Sequence, residues 1–207
     1  MPARFITLEG IEGSGKTTQL DFVVDFLCGH GIQVVQTREP GGTEAGELIR
    51  EILLTNDIEG MHPDTELALM FAARIEHVHK VIKPALQAGQ WVVCDRFYDA
   101  TYAYQGYGRN IDLGKIDKLR ELTIGDIQPD LTLLLDVDLD TSMQRVTQRG
   151  SQDRFEKEKI EFYTRVRDGY LTIAKQHANR VTVIDSTHSI EQVQSAIVTK
   201  LKEILQA

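Results

Sequence analysis

The chain has 207 residues, of which 31 are acidic and 23 basic, giving a formal net charge of −8. Its hydrophobic share of 42% together with 16 glycines falls in the composition range of globular chains, which excludes a disordered, collagen-like or low-complexity fibre. An acidic balance of this size suits neither a nucleic-acid polymer gripped through its phosphates nor a membrane surface, although a pocket that binds a small anion is felt only locally. No apolar run approaches the roughly 18 residues of a membrane span; the richest, Leu131 to Val137, is broken by Thr132 and Asp136. The first ten residues carry no apolar signal core, so export is not expected. Cys28 and Cys94 stand far apart without a C-x-x-C, which points to a reducing, cytoplasmic setting and to neither a disulfide framework nor a zinc site.

No repeat or linker-like tract divides the chain, and one domain is expected over 1–207. Phe5 to Glu9 reads as a buried strand, and a glycine-rich turn leads into a helix from Lys16 to Cys28 with Leu20, Val23, Val24 and Leu27 on one stripe. A second strand is expected over Gln33 to Thr37, then a helix near Glu44 to Leu54 and a long helical stretch from Asp64 to Ala88 that Pro84 bends or interrupts. Strand Trp91 to Asp95, helical stretches to Gly125 and strand Leu131 to Val137 follow. A helix near Thr141 to Gln148, a polar loop, helix Lys157 to His177, strand Arg180 to Asp185 and helix Ile190 to Leu205 complete the series. Five apolar strands separated by helices predict an α/β three-layer fold, a five-stranded parallel sheet covered on both faces, with the site beyond the carboxyl ends of the strands.

Gly10-Ile11-Glu12-Gly13-Ser14-Gly15-Lys16-Thr17 matches G-x-x-x-x-G-K-[ST] in full, between an apolar strand and an amphipathic helix. Backbone N–H groups of such a loop converge on an oxyanion, and the helix start adds the favourable end of its dipole. Lys16 is expected to reach the terminal phosphates and Thr17, followed by Thr18, to hold Mg²⁺ through its hydroxyl. The loop predicts a P-loop NTPase-type domain that binds a nucleoside triphosphate, and by itself leaves ATPase, GTPase and kinase open. No N-K-x-D for reading guanine occurs.

Three further clusters lie at strand ends or on a helix. Asp95 and Arg96 end the third strand, ahead of Thr101, Tyr104, Gln105 and Arg109. Asp95 is preferred as a metal-site acid over Asp136 and Asp138, because it alone lies among such residues; Asp136 reads as a helix cap near Thr141. Thr37 to Thr43, T-R-E-P-G-G-T, reads either as an anion-binding turn or as a rigid turn with a solvated Arg38. Phe71 and Arg74, three apart, share a helix face that suits a planar base, although a Phe there also suits the core.

Together GIEGSGKT, TREPGGT at 37–43, FAAR at 71–74, DR at 95–96, ATYAYQGYGR at 100–109 and PDLTLLLDV at 129–137 resemble, in family order, the thymidylate kinases, which phosphorylate dTMP to dTDP with ATP. The resemblance implies that Phe71 stacks on thymine, Arg74 bonds its edge, Thr101 and Gln105 complete the reading, and Tyr104 lies beneath the sugar. Arg38 and Arg96 would hold the monophosphate, with Arg50 pointing toward the same pocket. Asp95 and Glu9 would organise Mg²⁺ and its water. In many relatives the stacking aromatic lies four residues before the arginine, where this chain has Met70. The polar stretch Arg149 to Glu156, otherwise a plain connection, becomes a mobile lid at about 149–158. Arg154 would meet the transferring phosphoryl and Arg149 the adenine; Glu12 cannot stabilise that charge itself. The family also implies a homodimer. The alternatives are another small P-loop nucleoside monophosphate or deoxynucleoside kinase, and a nucleotide-binding switch without transfer activity. Glu76, His77 and His79 look metal-like but face apart, and are expected on a solvated helix face.

Overall fold

The computed structural model describes residues 2–57, 60–148, 153–156 and 158–206. Strands β1 (Phe5–Glu9), β2 (Val34–Arg38), β3 (Trp91–Asp95), β4 (Leu131–Asp136) and β5 (Val181–Asp185) form one sheet in the order β2-β3-β1-β4-β5, with every pairing parallel. The helices are α1 (Lys16–Gly29), α2 (Glu44–Leu54), α3 (Pro63–His77), α4 (Lys83–Gln87), α5 (Tyr98–Thr101), α6 (Leu113–Thr123), α7 (Leu139–Thr147), α8 (Ile160–Gln176) and α9 (Ile190–Gln206). The expected α/β architecture is present, and the strand boundaries agree with the sequence to within a residue.

The alternation of strand side chains assigns the two faces. Ile6 and Leu8 of β1, Val93 of β3 and Leu133 and Leu135 of β4 meet Leu20, Val23 and Leu27 of α1 and Val193, Ile197 and Leu201 of α9. Phe5, Val92 and Cys94 point the other way, onto Val78, Ile82, Ala85, Phe97 and Tyr98. Leu134 and Val137 meet Tyr104, Phe162, Val166, Tyr170 and Ile173. The expected break at Pro84 takes another form: α3 runs into a π-helical turn at Val78–Ile82, whose extra residue widens the spiral just ahead of a ring that has no N–H to return. A second such turn, Tyr102–Gly108, continues α5.

The same alternation carries Glu9 to the face covered by α8. Its side chain is fully buried: Oε1 accepts the Phe97 backbone N–H at 2.7 Å and Oε2 the Tyr170 hydroxyl at 2.7 Å. Burial, reinforced by the negative charge of Asp99, pushes its carboxyl up from 4.5 to about 8. Between those values the folded chain keeps a proton that the unfolded chain releases, so the stability from this group is full below pH 4.5 and is lost as pH rises through about 8. Thermal unfolding across that window should show wild-type stability falling more steeply than that of Glu9→Gln, which does not titrate. Parallel curves would contradict the assignment.

Candidate active site

Beyond the carboxyl ends of β1, β2 and β3 lies a cavity lined on one side by Glu12, Gly13, Gly15, Lys16 and Thr17, and on the other by Met70, Arg74, Thr101, Tyr104 and Gln105. Asp95, Arg96 and Arg50 lie in the same wall, and Asp153, Phe155 and Glu156 also line the cavity. The loop between β1 and α1 is shaped by glycine. Gly13 has φ 72°, and a Cβ there would sit 2.6 Å from the Ser142 carbonyl oxygen. Helix α7 supports the loop from outside: Ser142 Oγ donates to the Glu12 carbonyl at 2.7 Å, and Arg145 donates to the carbonyls of Gly13 and Ser186 at 3.1 and 3.2 Å. Lys16 Nζ donates to the Gly10 and Ile11 carbonyls, both at 3.0 Å. Burial, then the positive charge of Arg96, pulls its ammonium down to about 8. Thr17 and Thr18 stand exposed at the helix start.

Arg96 has φ 69°, a left-handed conformation that costs a non-glycine residue on the order of 1–3 kcal/mol and persists only where its surroundings enforce it. The enforcing contacts lie on both flanks, the Arg96 N–H on the Leu8 carbonyl at 3.0 Å and the Phe97 N–H on Glu9. The turn delivers the guanidinium to the phosphate loop. Nη1 donates to the Gly10 carbonyl and the Tyr170 hydroxyl, and Nη2 to Glu12 Oε1 and the Tyr104 hydroxyl, at 2.9 to 3.0 Å. Tyr104 in turn donates to Glu12 Oε2 at 2.6 Å. Burial alone would raise the Glu12 carboxyl, but Arg96, Lys16 and this hydrogen bond hold it below the ordinary range.

Arg74 is sandwiched between Phe71 and Phe97, its guanidinium carbon 5.1 and 5.5 Å from the two ring centres. Nε donates to Glu39 Oε2 at 2.6 Å and Nη2 to the Phe97 carbonyl at 3.2 Å. Nη1 is buried and has no hydrogen-bond partner among the described residues, as is true of Thr101 Oγ1 and Asp95 Oδ1. Gln105 donates its amide to Glu66 Oε1 at 2.8 Å, leaving its carbonyl oxygen to accept. These unpartnered atoms all belong to residues of the cavity wall.

Several expectations are corrected. Phe71 does not face the cavity; it is 2% exposed and packs with Leu67 and Ile116, and Met70 takes the place on the wall. Glu9 lies under the cavity floor, with both oxygens engaged, and not among the wall residues. Arg38 is half exposed and paired with Glu47 at 2.8 Å, whereas Arg50 lines the cavity and donates to the Pro40 carbonyl. Arg154, expected to meet the transferring phosphoryl when a lid closes, is held here by α2 and α3, an arrangement that neither shows nor overturns that role. Its Nε donates to the Leu53 carbonyl at 2.9 Å and its Nη2 pairs with Glu66 at 2.8 Å. Arg149 lies outside the described residues, as does much of the expected lid. Asp136 is no cap: it takes Arg167 in a two-point ion pair at 2.7 and 2.8 Å, and Asp138 caps α7 by accepting from Thr141. His77 is not on a solvated face; it is wholly buried between Glu39 and Thr37.

Sequence reasoning missed Glu66, Glu39 and Tyr170. Glu66, 1% exposed, gathers Gln105, Arg109 and Arg154 around one carboxylate. No periodicity marks such residues, because each is defined by partners distant in the chain.

A Mg²⁺ ion carried with ATP fits this donor set. Thr17 and Asp95 offer only oxygen, and Asp95 Oδ1 is buried without a partner, which suits a hard cation that takes its remaining ligands from water and phosphate. Among the described residues no group of three or more metal-ligating side chains offers a protein-only cage.

Comparison with known proteins extends the likeness over the chain. A family model described as thymidylate kinase matches residues 8–197. The thymidylate kinase of Methylococcus capsulatus is 52% identical over 204 residues, covering 99% of this chain and 97% of its own length. That of Chromohalobacter salexigens is 52% identical over 206 residues, with coverage of 99% and 97%. The crystal structure of thymidylate kinase from Ehrlichia chaffeensis superposes with a TM-score of 0.81 at 40% identity, covering 97% of this chain and 100% of that one. Because the agreement runs through nearly the whole of both partners in each comparison, and not through the nucleotide loop alone, this chain belongs to the thymidylate kinase family.

Proposed function

We propose that the chain transfers the γ-phosphoryl group of ATP to dTMP, releasing dTDP and ADP. The observation that carries the acceptor is the set of unpartnered polar atoms on the wall opposite the phosphate loop. Thymine presents a carbonyl at position 4 and an N–H at position 3. Arg74 Nη1 supplies the donor for the first, and the oxygens of Thr101 and Gln105 the acceptors for the second. Cytosine, with an amino group at position 4, would set donor against donor and leave a buried N–H unpaired, the arrangement sites reject most strongly. Met70 packs on the base as an adaptable thioether, while Phe71 supports Arg74 from behind. Tyr104, fixed by Glu12 and Arg96, lies under the sugar.

Arg50 and Arg96 take the acceptor phosphate, with Arg38 at the rim. Burial and then the like charge of Arg38 lower the pKa of Arg50, the strain that a bound dianion relieves. The loop from Gly10 to Thr18 cradles the ATP phosphates and Lys16 moves from its carbonyl partners to the terminal ones. Thr17 and Asp95 would hold Mg²⁺, which when bound neutralises charge on the β- and γ-phosphates. An oxygen of the dTMP phosphate attacks the γ-phosphorus as its bond to the β–γ bridging oxygen breaks, and the electron pair leaves with ADP. Glu12 is committed to Arg96 and Tyr104, so extra positive charge must come from elsewhere. Arg154 supplies it by exchanging Glu66 for the phosphoryl group when the lid closes. A homodimer in the cytoplasm completes the reading. Leu48 and Ile52, one turn apart and exposed on α2, offer an apolar face to a second copy, and no described helix is long and apolar enough to cross a membrane.

Acceptor-dependent ADP formation from Mg-ATP tests the reaction across dTMP, dUMP, UMP, CMP, AMP, GMP and thymidine. Turnover should be strong with dTMP and slight with ribonucleotides; a dTMP signal no higher than the ATP-only blank would refute it. Asp95→Asn should lose turnover by at least about tenfold, the order of one misplaced charge contact, while its melting temperature stays near wild type. Arg154→Ala should lower kcat far more than it raises the KM for ATP, since a charge that meets the transferring group is felt mainly in the transition state. Unchanged kcat would leave Arg154 as a tether of 153–156 to α2.

A further inference from the structure

The T-R-E-P-G-G-T run does more than turn the chain. Glu39 is 4% exposed and His77 wholly buried, and the two are joined by a 2.9 Å bond between His77 Nδ1 and Glu39 Oε1. A carboxylate only accepts, so Nδ1 donates, and the other ring nitrogen, Nε2, is hydrogen-bonded to the Thr37 hydroxyl 2.6 Å away. Gly42 closes over this bond. At φ 77° it carries no Cβ, and one would lie 2.7 Å from His77 Cδ2 and 2.8 Å from both His77 Nε2 and Thr37 Oγ1. The second oxygen of Glu39 holds Arg74 Nε.

The arrangement limits what Glu39 does to Arg74. A free carboxylate prefers to take two guanidinium nitrogens side by side. With Oε1 occupied by His77, Glu39 reaches Nε alone, Nη2 is left for the Phe97 carbonyl, and Nη1, on a residue of the cavity wall, is left buried without a hydrogen-bond partner among the described residues. We propose that Thr37, His77 and Glu39 form a buried relay that positions Arg74 and so sets how tightly and how selectively the acceptor base is held. The proposal rests on the base-reading role of Arg74 given above. His77 touches neither substrate; it is a positioning residue.

Steady-state kinetics on His77→Leu, His77→Asn, Thr37→Val and Arg74→Met test this, with KM for dTMP and for ATP and the kcat/KM preference for dTMP over dCMP as readouts. Loss of one buried bond to a charged group corresponds to a change of about tenfold. His77→Leu should therefore raise the KM for dTMP about tenfold, leave that for ATP within about twofold, and reduce the base preference by a similar factor. His77→Asn, whose amide keeps a donor to Glu39, should recover most of the loss. A wild-type KM for dTMP in His77→Leu would overturn the relay, as would equal losses for both substrates in Leu and Asn variants alike. Should the Leu variant fail to fold, Thr37→Val, equal in volume, should move the same parameters in the same direction, and its indifference would overturn the proposal. Arg74→Met separates the two levels. If it leaves base preference intact, the base-reading role falls; if it abolishes the preference while His77→Leu does not, only the relay falls.

Discussion

A single buried carboxyl group, that of Glu9, ties the end of the central strand to the two elements that shape the site. One oxygen holds the Phe97 N–H and the other the Tyr170 hydroxyl, so β1, the turn after β3 and helix α8 are fixed at one point. That turn places Arg96 in a left-handed conformation, which an isolated peptide would abandon. With the backbone so constrained, the guanidinium meets the Gly10 carbonyl, Glu12, Tyr104 and Tyr170 together. The phosphate loop and the opposite cavity wall are therefore built against the same cation. A strand register that slipped by one residue would turn Glu9 to the α1 face and dissolve the arrangement.

Features encoded locally were legible in the sequence. The strands announce themselves as short apolar runs, and the phosphate loop as a glycine spacing whose reason is backbone geometry. Features that depend on how far a helix is rotated about its axis were not. Met70 and Phe71 are neighbours, and which of them meets the cavity is decided by Leu67 and Ile116, which draw Phe71 inward. His77 looked like part of a solvated face because its partner Glu39 lies 38 positions earlier. Asp136 and Asp138 were likewise confused: both stand near the start of α7, and only the approach of Arg167 from α8 separates ion pair from cap.

The family resemblance named several residues that line the cavity but not their state. Arg96 was expected to meet the acceptor phosphate, and it does lie in the wall; its nitrogens are also bonded to the loop and to two tyrosines. Arg154 was expected beside the ATP phosphates, and it lies instead with Glu66 and the end of α2. Both are cases in which a cation has alternative partners within reach, and local sequence carries no information about which one is taken.

Glu66 binds these observations into a thermodynamic cycle. Its two oxygens are divided among Gln105, which lines the cavity, Arg109, and Arg154, whose neighbours Asp153 and Phe155 line it too. One buried charge shared by three donors makes their bonds interdependent: whatever draws Gln105 toward a ligand changes the hold on Arg154. By reciprocity, release of Arg154 would change the hold of Glu66 on Gln105 by the same factor. Occupancy beside Gln105 and the position of the Arg154 segment would then be two readings of a single equilibrium, with the Glu66 carboxylate as its pivot.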